Sequence, residues 1–112
     1  MRIESARLEV DTFGETAYFL VNDKGAEVAK TVEFNDEILV DLDRFEMVVG
    51  VEVLTLHAEV PVSQLAQKFH FIPGAREALE FLVPHMRTAH QKTSISSRGN
   101  ASTRAGNDFL PA

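Results

Sequence analysis

Asp11, Glu33, Asp41, Asp43 and Glu52 are carboxylates in the first half of the chain that could do chemistry together. Converging carboxylates can bind a hard cation such as Mg²⁺ or Ca²⁺, or act as an acid and base pair when proximity drives their pKa values apart. Asp41 and Asp43 are the best-placed pair, because alternate residues of a strand share a face. The run is not an EF-hand loop, since it lacks the glycine at the sixth position and the closing glutamate. A second role suits the same residues. Asp11 and Asp43 border turns, where a short carboxylate accepts backbone N–H groups, while Glu33 and Glu52 mark a solvent face and discourage edge pairing. That second role is the favoured one, so no metal and no cofactor is expected. Asp41 and Asp43 remain the candidates for an alternative function, that of a small metal- or ligand-binding protein.

Other chemistry finds less support. His57, His70, His85 and His90 show no zinc-ligand spacing, and the chain has no cysteine for thiolate catalysis, disulfides or Cys-ligated zinc. The serines and threonines crowd toward the C-terminus without a nucleophile-elbow motif, and Gly14 and Gly25 belong to no phosphate-cradling pattern. The expectation is a protein that is not an enzyme.

The elements that hold these residues are legible from periodicity. Ile38 to Leu54 reads as a hairpin, with Ile38, Val40 and Leu42 on one face, a turn at Asp43-Arg44-Phe45-Glu46, and Met47, Val49, Val51 and Val53 resuming the alternation. A hairpin alone is unstable in water, so further strands must complete a sheet and helices must cover it. Residues 3 to 11 supply a first strand with Ala6, Leu8 and Val10 inward. A turn containing Gly14 leads to a second strand, where Ala17, Phe19 and Val21 oppose Tyr18 and Leu20. Apolar residues on both faces place that strand inside the sheet or under a second cover. Asn22-Asp23-Lys24-Gly25 turns the chain into a third strand, with Val28, Val32 and Phe34 on one side and Thr31 and Glu33 on the other.

Beyond Leu54 the period changes. Gln64 to His70 reads as a short helix with Ser63 as its N-cap and Leu65, Ala66 and Phe69 on one stripe. Ala75 to Val83 follows with Ala75, Ala78, Leu79, Leu82 and Val83 inward, and Pro84 is expected near its end. Phe81 falls off that stripe, which leaves it either partly exposed or used in a contact with another chain. The fold class is therefore α+β: an antiparallel β-meander of four to five strands covered by short C-terminal helices. Residues 1–86 form a single domain, and residues 87–112 form a flexible basic tail, expected to be disordered, that closes on Phe109-Leu110-Pro111.

Charge divides along the same boundary. Residues 1–86 carry seven Lys and Arg against sixteen Asp and Glu, a balance of −9, whereas the remainder is +3. An acidic body repels a phosphate backbone and attracts basic proteins, so nucleic acid is an unlikely partner and a basic protein a suitable one. No apolar run reaches the length of a membrane span and the N-terminus has no signal-peptide core, which gives the expectation of a soluble, cytoplasmic protein without membrane contact. Open sheet edges, the two-faced second strand and Phe81 also admit a homodimer, with Tyr18, Leu20 and Phe81 as its interface candidates.

With the strands placed, a resemblance can be stated. Val10 to Phe19, Thr31-Val32-Glu33, Ile38 to Asp43 and Val49-Gly50-Val51-Glu52-Val53-Leu54 resemble domain of unknown function 2283 over residues 8 to 56. That family consists of small bacterial and phage β-meander proteins. The chain departs from it at Val10, at Ala17 and at Phe45-Glu46, where a glycine usually opens the last turn, and in its longer C-terminal extension. The resemblance implies a protein-binding role, with some members similar to the antitoxin partners of small ribonuclease-like toxins. The function expected is thus a non-catalytic protein-binding module, antitoxin-like toward a small basic ribonuclease.

Overall fold

Alternation of β-branched and polar residues produces five strands, all paired antiparallel. The computed structural model describes residues 6–22 and 26–96. Strands β1 (Arg7–Asp11), β2 (Thr16–Leu20), β3 (Lys30–Asn35), β4 (Ile38–Leu42) and β5 (Val48–Val53) form one sheet in the order β1-β2-β5-β4-β3. It comprises a hairpin, β1-β2, and a meander, β3-β4-β5, joined because β5 pairs with β2 as well as β4. The most apolar strand thus lies at the centre, where both of its edges are used.

The expected α+β class is the observed one. Helix α1 (Val62–Lys68) and helix α2 (Ala75–Ser96) follow the sheet. Phe19, Val40, Val51 and Val53 from the strands and Leu56, Leu65, Leu79 and Met86 from the C-terminal half meet in one core. Burying a side chain of this kind stabilises by about 1.5–3 kcal/mol. The tilted Phe34 and Phe69 rings, 6.3 Å apart, extend the core under β3.

Several details differ from the expectation. The strict alternation through Met47, Val49, Val51 and Val53 is interrupted, because Asp41 pairs with Gly50 and Leu42 with Val48, leaving Val49 as the extra residue of a bulge. Val48 therefore joins the core in its place. Helix α1 starts at Val62 with Pro61 in the cap position and no side-chain cap, so Ser63 is not the N-cap. The Ser63 hydroxyl instead accepts a hydrogen bond from Arg76 Nη2 at 3.3 Å, linking α1 to the start of α2. Val28 precedes β3 and is exposed.

Helix α2 continues through Pro84 to Ser96, past Val83, where the helical stripe was expected to end. Pro84 removes an N–H that would bond the carbonyl of Glu80, but the following turn is held by Thr88 Oγ1 donating to the Pro84 carbonyl at 3.3 Å. The remainder of the tail, including Phe109-Leu110-Pro111, lies outside the described residues, as do residues 3–5 of the first strand and Asp23-Lys24-Gly25 of its second turn. Among the described residues no helix is long and apolar enough to cross a membrane.

Candidate docking face

The helices cover one face of the sheet and leave the other open. Strand parity puts Glu9, Tyr18, Leu20, Thr31, Glu33, Leu39, Asp41, Gly50 and Glu52 on the open face, since their neighbours in each strand point into the core. Leu20 and Leu39 are half-buried without packing against the core.

Tyr18 organises this face. Its ring lies over Gly50 of β5, so closely that a Cβ at that position would overlap the tyrosine's hydroxyl and its Cζ. The absence of a side chain at Gly50 lets Tyr18, on β2, reach across β5 to β4, where its hydroxyl donates to Asp41 Oδ2 at 2.8 Å. Thr31 on β3 donates to the other oxygen, Asp41 Oδ1, at 2.6 Å. One carboxylate thereby ties three strands, β2, β3 and β4, on the open side, with the Tyr18 ring spanning β5. Burial of the Tyr18 ring, the hydrogen bond to Asp41 and the negative charges of Asp41, Glu52 and Glu9 all push the phenol pKa above the ordinary tyrosine value.

The other carboxylates behave as turn and surface residues. Asp11 Oδ1 accepts the N–H groups of Phe13 and Gly14 at 3.1 and 3.0 Å. Asp43 Oδ1 accepts those of Phe45 and Met47 at 2.8 and 2.9 Å, closing the β4-β5 turn in which Glu46 has φ 65°. Asp41 and Asp43, the weak metal candidates, therefore have different engagements: one links strands and the other caps a turn. Among the described residues no group of three His, Asp or Glu side chains is placed to hold a metal ion. Glu33 is exposed and Glu52 half-buried, both on the open face.

Of the interface candidates, Tyr18 and Leu20 share the open face, whereas Phe81 lies in the helical layer on the other side of the sheet. Phe81 is 52 % exposed and its ring stacks against His85 at 5.2 Å. The structure does not bring the three together. Sequence reasoning missed Gly50 and Thr31, which complete the Tyr18–Asp41 link. The signal was Tyr18 facing a strand that carries a glycine, readable only once β2 and β5 are known to be neighbours.

The open face is strongly acidic. Among the described residues, Arg7 is the one Lys or Arg that the strands place there, and it lies at the β1 edge with its Nε 2.8 Å from Glu9 Oε2. Lys30 has the opposite parity, shared with Val32 and Phe34, and pairs with Glu46 at 3.1 Å. No family model matches the chain, and no curated protein or solved structure matches it.

Proposed function

We propose that the chain is a non-catalytic protein-binding module whose open sheet face docks a basic protein. One observation carries this reading: the face without helices bears Glu9, Glu33, Asp41 and Glu52 around the half-buried Tyr18, Leu20 and Leu39. A partly apolar surface with one sign of charge gains contact area from its centre and steering from its rim. The balance of −9 over residues 1–86 extends that field over the whole body. The resemblance of residues 8 to 56 to domain of unknown function 2283 supports the same reading and suggests the class of partner, a small basic ribonuclease held in the manner of an antitoxin. Such an enzyme must itself present cations to attract RNA, and an acidic face complements them.

The test is fluorescence anisotropy of the labelled full chain against several small basic ribonucleases, with an acidic protein of similar size as control, across a series of salt concentrations. Association with a basic member that weakens steeply as salt rises is the expected result. Equal association with the acidic control, or none with any basic protein, contradicts the proposal.

A further inference from the structure

Two turns of the sheet share a motif. Asp11-Thr12-Phe13 leaves β1 and Asp43-Arg44-Phe45 leaves β4, and in each the aspartate Oδ1 accepts the N–H of the phenylalanine two residues on, at 3.1 and 2.8 Å. A glutamate of positive φ, Glu15 at 56° and Glu46 at 65°, then returns the chain toward the next strand. That backbone bond forms whatever the side chain, so the turn itself does not call for an aromatic ring. The ring is nevertheless held outward in both: Phe13 is 101 % exposed and Phe45 69 %. The residue between aspartate and phenylalanine sets what the ring meets. In the β4-β5 turn it is Arg44, whose Cζ stands 4.8 Å from the Phe45 ring centroid, so the chain's own guanidinium takes one face. In the β1-β2 turn it is the uncharged Thr12, and the Phe13 ring keeps both faces in solvent. Carboxylates flank each ring along the chain, Asp11 and Glu15 in one turn and Asp43 and Glu46 in the other, so the field at Phe13 favours a cation as well.

From this internal comparison, and resting on the reading of the partner as a basic protein, we propose that Phe13 is an arginine anchor: a guanidinium of the partner stacks on its ring as Arg44 does on Phe45. Asp11 has the strand parity of Glu9, so the turn borders the open face and lies within reach of a protein seated there. Arginine fits better than lysine, because its planar and weakly hydrated guanidinium lies flat on an aromatic face, whereas an ammonium gives up a tighter hydration shell to do so. The bonds from Phe13 and Gly14 to Asp11 fix the turn before binding, which spares part of the ordering cost.

Labelled hexa-arginine and hexa-lysine peptides carry equal charge, so titrating each with the full chain isolates the stacking contribution from the general attraction of an acidic body. Hexa-arginine is expected to bind about two- to fivefold more tightly than hexa-lysine. Phe13→Leu keeps an apolar side chain but no ring, and should remove that preference while leaving hexa-lysine binding and the melting temperature unchanged, since the position is fully exposed. Thr12→Arg provides a second variant: it recreates the Asp-Arg-Phe order of the β4-β5 turn, so the chain's own guanidinium occupies the ring and the preference should fall again. Phe45→Leu should leave the preference in place, because that ring is already taken by Arg44. Equal binding of the two peptides by the native chain, or a preference that survives both Phe13→Leu and Thr12→Arg, overturns the anchor while leaving the basic-partner reading intact. Binding of neither peptide at low salt overturns both.

Discussion

Gly50 and Tyr18 are interdependent, and the dependence can be measured. Gly50→Ala places a methyl group where the tyrosine ring lies, so it should destabilise by about 1–3 kcal/mol in urea unfolding. In a Tyr18→Ala background the same substitution should be neutral or stabilising, because alanine is otherwise better than glycine in a strand by about 0.5–1 kcal/mol. Equal cost in both backgrounds contradicts the contact. Tyr18 is the sole tyrosine and there is no tryptophan, so tyrosinate absorbance reports this residue alone. Its ionisation in the folded chain should fall above that of the chain in urea. A raised folded pKa contributes stability that is present in full below the unfolded value and is lost as pH climbs through the folded one. Stability should therefore decline on the alkaline side, and more shallowly in Tyr18→Phe. This residue-scale arrangement was largely hidden in the sequence. Asp11 and Asp43 could be assigned to turns from their neighbours alone, but the bonds from Tyr18 and Thr31 to Asp41 each cross a strand boundary that depends on the sheet order.

At the scale of elements, turns and helix ends carry the testable contributions. Asp43→Ala removes the acceptor of two backbone N–H groups in the β4-β5 turn and should cost about 1–2 kcal/mol. Asp43→Asn keeps an oxygen acceptor and should recover most of that loss. Pro84→Ala restores a helical N–H in the interior of α2 and should stabilise the chain, by up to about 3 kcal/mol if the helix needs no bend to seat Met86. A lower unfolding midpoint for Pro84→Ala would show that the packing of α2 requires the proline. The strands were legible because Ala17, Phe19, Ile38, Val40, Leu42, Val51 and Val53 keep period 2 and reach the core. The bulge at Val49 was not legible, because a run of four apolar or small residues, Val48 to Val51, conceals a one-residue shift of phase. The length of α2 was underestimated for a related reason. Proline was given its usual role of ending a helix, whereas Met86 lies buried beyond it and packs into the core.

For the whole molecule, the consequence is a division of labour between the two faces of one sheet. The inner face and the helices supply the core that holds the strands in register. The outer face, braced by the Tyr18–Asp41–Thr31 link, presents acidic and half-buried apolar side chains on a rigid frame, which lowers the entropic cost of binding. The charge asymmetry of the sequence already favoured a basic partner, while the location of the seat proposed for it required knowing which face the helices leave uncovered. The most direct test is to follow backbone amide shifts of the isotopically labelled full chain while a basic protein that binds it is added. The account predicts that the largest changes fall on Glu9, Tyr18, Leu39, Glu52 and their strand neighbours, with α1 and α2 little affected. Changes concentrated around Phe81 and α2, with the open face unaltered, would contradict it.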